Sequence, residues 1–213
     1  MKLEEFLNKI DEIEKINIIG PMVDRKNIPK ISGPIIFVDG GKKFDKYFPK
    51  EDICGESRPT FSLGDGDSYE GDLDLTIEKE KDFSDLNYAF RIIPTHIKEI
   101  HLIGFLGGRK DHELINLGEC HQFLIKNSDT KVIFDLSEIE SFSPGDIKVN
   151  IEGIFSILSL TENNLGISGN CKYHLSYPSK VSPFSSHCLS NIGSGNIHIQ
   201  SDRPIFLIKV KTK

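Results

Sequence analysis

The chain has 213 residues, of which 38% are hydrophobic and 27% are charged, and its formal net charge is −6. This length allows one large domain or two modest ones, and the negative charge argues against a general nucleic-acid binder, which would present a basic face. No apolar run is long enough to span a bilayer, and the acidic N-terminus lacks the apolar core of a signal peptide. We therefore expect a soluble, cytoplasmic protein that binds neither nucleic acid nor a membrane.

The cysteines and histidines show no metal-site spacing. The four cysteines are far apart and form no CxxC pair. This spacing is typical of reduced cytosolic thiols and argues against a disulfide framework or a zinc site. The cysteines are Cys54, Cys120, Cys171 and Cys188. Among the seven histidines, only His112 stands beside a candidate site residue, Asp111.

The N-terminal part of the chain combines one helical pattern with two short apolar runs. Apolar residues from Leu3 to Ile13 recur at helical spacing, which predicts an amphipathic helix. Residues 17–19 and 35–38 indicate strands, and the second run ends directly in Asp39 followed by two glycines. A carboxylate at the carboxyl end of a strand lies where open α/β sheets bind ligands. An ordinary Asp-Gly turn explains these residues about as well.

Two further carboxylates follow the next apolar run. Asp65 and Asp67 stand two positions apart after residues 61–63, and they could face one site if the backbone there is irregular. Paired carboxylates bind hard cations, especially Mg²⁺ that already carries phosphate oxygens. A calcium EF-hand is excluded, because that loop would need glycine at Glu70 and glutamate at Thr76. Much of the acidic run that continues from here is also typical of solvated surface.

A second helical pattern begins after residue 81 and ends before Pro94. Ser84 or Asp82 is its expected N-cap, which places Asp85 near the first turn. Such a position needs no catalytic explanation. The alternative is that Asp85 joins Asp65 and Asp67 around a metal ion.

The centre of the chain is a predicted strand at residues 100–103, a glycine-rich turn, and a helix that begins near Asp111. Gly107 and Gly108 would let a ligand approach the backbone, and free N–H groups at a helix start suit a phosphate. Arg109 can hold a phosphate or carboxylate through two hydrogen bonds. Asp111 can cap the helix or turn toward a metal or ligand. An ordinary βα turn explains the same residues about as well.

The pattern changes after a strand predicted at residues 131–134. Residues 141–146 form a turn cluster, and the runs beyond it are β-rich with little helical spacing. We expect a domain boundary near residues 137–146, with a mostly parallel α/β layer before it and a small all-β domain after it. Within the second domain, Ser190 and Asn191 are expected to begin a loop that continues through Gly193 and Gly195.

Four of these segments occur in an order that resembles the thiamine pyrophosphokinase family. Its hallmarks are a strand ending in DGG, a GDxDS loop, a (K/Q)DxTD helix start and a GxxGGRxDHxLxN segment. They correspond here to residues 39–41, 64–68, 81–85 and 104–116. The family also ends in a β-sandwich with a Ser-Asn loop, which Ser190 and Asn191 match. The resemblance extends over roughly residues 16–210, and the shared order of the segments makes it specific.

This resemblance implies an enzyme that transfers pyrophosphate from ATP to thiamine, giving AMP and thiamine diphosphate, with Mg²⁺ as the metal ion. It implies a Rossmann-like, mostly parallel α/β domain at residues 1–140, which binds ATP and magnesium and carries an extra N-terminal helix. Residues 141–213 would form a β-sandwich domain that binds thiamine. Family members are homodimers whose active sites lie between the α/β domain of one subunit and the β-sandwich domain of its partner.

The resemblance also assigns roles by position. The expected catalytic residues are Asp65, Asp67 and Asp85, and Asp39 joins them as a metal ligand. The expected nucleotide-binding residues are Gly107, Gly108, Arg109, Asp111, His112 and Asn116. The expected substrate-binding residues are Lys81, Ser84, Ser190 and Asn191. Either Asp67 or Asp85 would accept the proton of the attacking hydroxyl.

Several residues depart from the family pattern. The chain has no tryptophan, whereas some members stack an indole on the thiamine ring, and Phe206 and Leu207 occupy that neighbourhood here. Gly66 replaces a larger apolar residue, and Ser84 replaces threonine. Two other functions therefore stay open: a related pyrophosphokinase that acts on another hydroxymethyl heterocycle, such as a pterin, and a non-catalytic relative that binds thiamine or nucleotide.

Overall fold

The computed structural model describes residues 1–51, 55, 57–135 and 139–210. Within them the fold is mixed α/β, which confirms the predicted fold class at that level. The chain divides into two compact units, Met1–Glu119 with Phe134–Leu136 and Cys120–Ile133 with Ser137–Lys213. The domain boundary near residue 140 stays a prediction, as do the Rossmann-like and β-sandwich assignments. No described helix is long and apolar enough to cross a membrane.

The first unit alternates strands and helices. Its helices are α1 (Leu3–Lys9), α2 (Asp85–Ile92) and α3 (Lys110–Lys126), the last of which begins in this unit. Its strands are β1 (Lys15–Ile19), β2 (Ile35–Val38), β3 (Thr60–Gly64), β4 (Leu75–Thr76) and β5 (Glu99–Ile103). The Asp-Gly-Gly segment after β2 is more than a turn, because it opens a 3-10 helix at Asp39–Tyr47.

The five strands form a parallel sheet in the order β5-β1-β2-β3-β4. The residues of β1, β2 and β3 are buried almost throughout, as expected for parallel strands covered on both faces. Parallel strands end at one edge of the sheet, and the residues that follow them there form the usual ligand site of such sheets. Asp39 follows β2, Asp65 follows β3 and Gly104 follows β5.

Aromatic residues cover both faces of this sheet. Phe6 of α1 stacks on Phe61 of β3, with ring centroids 5.4 Å apart. The ring centroid of Phe37 in β2 lies 6.0 Å from that of Phe48, which follows the 3-10 helix. The strand register pairs Phe37 with Ser62. Because side chains alternate along a strand, Phe37 and Phe61 point to opposite faces, so α1 and the 3-10 segment cover different faces.

The second unit is built mainly from antiparallel strands. Its strands are β6 (Lys131–Phe134), whose last residue belongs to the first unit, followed by β7 (Ile139–Phe142), β8 (Gly145–Leu158), β9 (Asn163–Cys171), β10 (Leu175–Val181), β11 (Asn191–Ser201) and β12 (Ile205–Lys209). Strands β7 to β12 pair antiparallel in the order β10-β9-β11-β8-β12-β7. Their buried side chains form a hydrophobic cluster that includes Phe155, Ile199 and Leu207.

Two predictions about this unit are wrong. The turn cluster predicted at residues 141–146 is partly strand, because Ser141 and Phe142 belong to β7 and pair with β12. The loop predicted from Ser190 and Asn191 is also absent from the described structure, since β11 begins at Asn191 and continues to Ser201.

The glycines that suggested a loop have another role inside β11. A Cβ on Gly193 would lie 2.6 Å from the Ile151 carbonyl oxygen of β8. The pairing of β11 with β9 also shifts register between Gly193 and Ile197. Glycine within a strand commonly marks such a close backbone approach or a bulge. Local composition therefore predicted a loop where the strand packs tightly.

The cysteines agree with the expectation of reduced thiols where the structure describes them. Cys120, Cys171 and Cys188 are free. Cys54 lies outside the described residues.

Candidate active site

A cavity of about 580 Å³ opens in the first unit, at the edge where the parallel strands end. Most of the residues that the sequence assigned to the site line it. These residues are Asp39, Asp65, Asp67, Lys81, Ser84, Asp85, Gly108, Arg109, His112 and Asn116. Four segments far apart in the sequence therefore contribute to one cavity.

Three carboxylates form a compact cluster in this cavity. Oxygen atoms of Asp39, Asp65 and Asp67 lie within 4.8 Å of one another. The Asp39 Oδ1 atom is buried and has no hydrogen-bond partner among the described residues. A buried carboxylate oxygen without a donor is costly unless something else satisfies it. All-oxygen ligands suit a hard divalent cation, so the residues present fit Mg²⁺.

The backbone around Asp39 and Asp65 explains why glycines flank these acids. Asp39 has a φ of 48°, which few residues other than glycine adopt. A Cβ on Gly64 would lie 2.8 Å from the Asp39 Cα atom, so the two strand ends can meet only if residue 64 is glycine. Gly66 has a φ of 76°. Glycine adopts that conformation without strain.

Hydrogen bonds from its own residues stabilise the loop that contains Asp65 and Asp67. The Asp67 backbone N–H donates to Asp65 Oδ1 at 3.2 Å, and the Ser68 hydroxyl donates to Asp67 Oδ1 at 2.8 Å. The first contact is the local turn that aspartate commonly forms with the residue two positions later. This irregular backbone brings Asp65 and Asp67 to the same cavity, as their spacing suggested.

Asp85 lies apart from the three-carboxylate cluster and beside a lysine. Lys81 Nζ donates to Asp65 Oδ2 at 3.0 Å and lies 3.0 Å from Asp85 Oδ1. The Asp85 oxygen contacts the ammonium as an ion pair without the alignment of a good hydrogen bond. The Lys81 side chain is 8% exposed. Lys81 therefore joins the loop after β3 to the first turn of α2.

The acid–lysine cluster shifts three pKa values. Burial lowers the pKa of Lys81, but its close contacts with the negatively charged Asp65 and Asp85 carboxylates outweigh burial and raise it overall. Burial raises the pKa of Asp65, but hydrogen bonds from Lys81 and from the Asp67 backbone lower it overall. Burial raises the pKa of Asp85, and although contact with Lys81 opposes this increase, the pKa stays above its ordinary value. The groups thus share one electrostatic environment.

The start of α2 is fixed by Ser84 and by a residue that the sequence did not single out. Ser84 is the N-cap, and its hydroxyl accepts from the Asn87 N–H at 3.1 Å. The same hydroxyl donates to Glu119 Oε2 of α3 at 2.5 Å. Burial raises the pKa of Glu119 above its ordinary value. Because Glu119 is three residues after Asn116, both face one side of α3, and this spacing was the available signal.

The glycine-rich turn is held by two residues of α3 and by Asp135, which follows β6. The Gly104 N–H donates to Asp135 Oδ1 at 2.7 Å, and the Asn116 amide donates to the Phe105 carbonyl at 2.9 Å. The Gly107 N–H donates to Glu113 Oε1 at 2.5 Å. Asn116 therefore contacts the turn itself. The Glu113 carboxylate accepts the hydrogen bond of the Gly107 N–H, which was expected to face a phosphate.

Arg109 and Asp111 form an exposed pair at the start of α3. The guanidinium donates to both Asp111 oxygens, at 3.1 and 2.5 Å. The hydrogen bonds from Arg109 lower the pKa of Asp111 to about 2. The Arg109 and Asp111 side chains are 72% and 61% exposed. Such an exposed pair is weak, so Arg109 can exchange its partner for a ligand oxygen.

The cavity lining also contains large apolar side chains, which the motifs did not predict. Met22, Phe83 and Phe105 line it together with the acids. The Arg91 guanidinium also stacks on Phe83, 4.1 Å from the ring centroid. Binding sites of small molecules usually combine an apolar wall with a few polar groups that orient the ligand. The cavity can therefore hold a ring beside a charged group.

Comparison with solved structures identifies the fold. A protein from Lactobacillus plantarum has a TM-score of 0.67 at 23% identity, covering 93% of this chain and 99% of that chain. The thiamine pyrophosphokinase of Bacillus subtilis has a TM-score of 0.64 at 20% identity, covering 93% and 100%. The thiamin pyrophosphokinase of Candida albicans has a TM-score of 0.64 at 14% identity, covering 97% and 90%.

The chain has the fold of the thiamine pyrophosphokinases. No family model matches the sequence, and no curated protein matches it. The likeness therefore rests on three-dimensional structure and on the order of the motifs.

Some residues that the thiamine pyrophosphokinase resemblance assigned to the site do not line the cavity of the first unit. Gly107 and Asp111 belong to the same segment but lie outside the lining. Ser190 and Asn191 belong to the second unit. There the Asn191 side chain accepts from the Tyr173 N–H at 2.9 Å and donates to the Tyr173 carbonyl at 2.7 Å. Asn191 thus stabilises the backbone around Tyr173.

Phe206 and Leu207, which occupy the neighbourhood of the missing tryptophan in the sequence, do not replace it as a stacking surface in this structure. Phe206 and Leu207 are 1% and 0% exposed. Leu207 belongs to the hydrophobic cluster of the second unit. Neither side chain is accessible in this structure for stacking on a ligand ring.

Proposed function

We propose that the chain is a thiamine pyrophosphokinase, which transfers pyrophosphate from ATP to thiamine and releases AMP. The observation that carries this proposal is the three-carboxylate cluster with its buried, partnerless Asp39 oxygen. It lies in the cavity that Arg109 and the glycine-rich turn also line. The fold shared with thiamine pyrophosphokinases supports the same reaction.

The chemistry of pyrophosphoryl transfer suits these residues. The thiamine hydroxyl must attack the β-phosphorus of ATP in line with the leaving AMP oxygen, while negative charge on the phosphates is neutralised. Asp39, Asp65 and Asp67 would hold Mg²⁺, which when bound neutralises and orients the phosphate oxygens. Arg109 would bind a phosphate oxygen after leaving Asp111. Asp67 and Asp85 are the two candidates to accept the hydroxyl proton.

We further propose the architecture that the resemblance implies. The first part of the chain, to about residue 140, would be a Rossmann-like ATP-binding domain, and the remainder a β-sandwich that binds thiamine. In a homodimer, Ser190 and Asn191 of the partner subunit would complete the site. The free thiols of the described cysteines are consistent with a cytoplasmic enzyme.

One observation favours a different acceptor. The chain has no tryptophan, and Phe206 and Leu207 are buried. The expected stacking group for the thiamine ring is therefore missing from those positions. A pyrophosphokinase that acts on another hydroxymethyl heterocycle, such as a pterin, would keep the same phosphate chemistry.

The test is AMP formation from Mg-ATP by the full chain, measured with thiamine, with a hydroxymethyl pterin and with no acceptor. We expect AMP with thiamine and none when the metal is removed by chelation. AMP formed only with the pterin would show that the pterin is the acceptor and that the reaction is still pyrophosphoryl transfer. Nucleotide binding without AMP from either acceptor would contradict the catalytic proposal.

A further inference from the structure

Lys81 is a half-buried residue whose ammonium lies within a group of carboxylates. Its Nζ atom lies 3.0 Å from Asp65 Oδ2 and 3.0 Å from Asp85 Oδ1. The two carboxylates are 16% and 15% exposed, and the Lys81 side chain is 8% exposed. An ammonium this well buried persists only because it is paired on both sides. The Lys81 ammonium therefore lies where a cation would bridge the Asp65 and Asp85 carboxylates.

The same Asp65 side chain also belongs to the three-carboxylate cluster with Asp39 and Asp67. Asp65 thus divides its interactions between Lys81 and the candidate metal position. Among the described residues, Lys81 is the only cation that pairs with Asp39, Asp65, Asp67 or Asp85. Four carboxylates close together repel one another, so a fixed positive charge among them stabilises the cavity without a ligand.

We infer that the Lys81 ammonium takes the place of a second divalent cation, so that the cavity binds a single metal ion between Asp39, Asp65 and Asp67. This inference rests on the proposed function, because that function supplies the metal. A second divalent cation between Asp65 and Asp85 would displace the ammonium, since both need the same carboxylate oxygens.

This arrangement gives Asp85 a different role from the one that the motif suggested. Its carboxylate holds Lys81 in place and does not ligate the single metal ion. With respect to the metal ion, Asp85 is then a positioning residue, whereas Asp67 contacts the ion directly.

The test counts Mn²⁺ ions bound per chain, from the paramagnetic resonance signal of the free ion, in the whole protein without nucleotide. Wild type is expected to bind one ion and Lys81→Gln two. The matched control is Lys79→Gln, which removes the same charge from the cavity lining but makes no ion pair with a described residue; it is expected to bind one. Equal numbers in wild type and Lys81→Gln would overturn the inference, as would a second ion in Lys79→Gln.

A second measurement serves if Lys81→Gln does not fold. Asp85→Asn is expected to keep one ion with a dissociation constant within about fivefold of wild type. Asp67→Asn is expected to weaken Mn²⁺ binding by at least about tenfold, as loss of a direct or supporting metal contact commonly does. Equal weakening by the two changes would overturn the inference. Because neither measurement uses ATP or an acceptor, they can fail or succeed independently of the AMP assay.

Discussion

Asparagine in place of Asp67 is expected to lower the rate of AMP formation by at least about a hundredfold, comparable to the loss of one preorganised charge-stabilising group. Asp67 supplies one of the three oxygens that lie within 4.8 Å of one another. An amide of the same shape carries no negative charge for a cation. Because the Asp67 side chain is exposed, the change should leave the melting temperature nearly unaltered. Steady-state kinetics at several Mg²⁺ concentrations measure the loss, and higher Mg²⁺ should recover part of it.

The matched control is Asp72→Asn. Asp72 is an exposed acid in the same segment, but it does not line the cavity. Its replacement removes the same charge and should leave the rate within about twofold, since surface changes away from a site have small effects. If Asp72→Asn and Asp67→Asn reduced the rate equally, general charge near the cavity would explain the effect. The carboxylate cluster would then lose its proposed role.

Alanine in place of Gly41 is expected to destabilise the first unit by about 3 kcal/mol, because inserted atoms in a packed region force the backbone to move. A Cβ there would lie 2.1 Å from the Ile19 carbonyl oxygen and 2.8 Å from its carbonyl carbon. These are backbone atoms at the end of β1, so no side-chain rotation can relieve the overlap. The second glycine of the Asp-Gly-Gly segment therefore lets the 3-10 helix cross the end of β1.

Thermal unfolding measures this effect, and the melting temperature should fall by about 6–12 °C for a chain of this size. Gly118→Ala is the control in which an added Cβ meets no obstacle. Gly118 lies inside α3, and apart from the backbone of its own helix and its chain neighbours, no described atom lies within 4 Å of such a Cβ. Alanine there should stabilise the protein by about 0.5–1 kcal/mol, because glycine is a poor helix former. A Gly41→Ala protein that melts like wild type would show that the backbone approach at Ile19 is not tight.

The strands of the first unit could be predicted from local sequence because they are buried on both faces. The apolar run at residues 35–38 coincides with β2, and the run at 100–103 differs from β5 only by one residue at its start. Parallel strands end at one edge, where such sheets bind their ligands, so an acid directly after such a run was a candidate site residue. The cluster of Asp39, Asp65 and Asp67 follows from that rule.

The details that local sequence could not supply depend on contacts between distant residues. The pairing of Ser141 with β12 and the tight approach of Gly193 to β8 arise from strands far apart in the chain. Likewise, the contact of Ser84 with Glu119 depends on how α3 packs against the start of α2. The division of Asp65 between Lys81 and the acid cluster also requires coordinates, because the family resemblance grouped all four acids together as metal ligands.

The products formed from Mg-ATP and thiamine test the central claim most directly. Mass spectrometry of the reaction should show thiamine diphosphate and AMP in equal amounts, with no thiamine monophosphate at any time. Equal amounts mean that both phosphoryl groups move in one step, as attack at the β-phosphorus requires. Thiamine monophosphate accompanied by ADP would contradict the account, because it would place the attack at the γ-phosphorus.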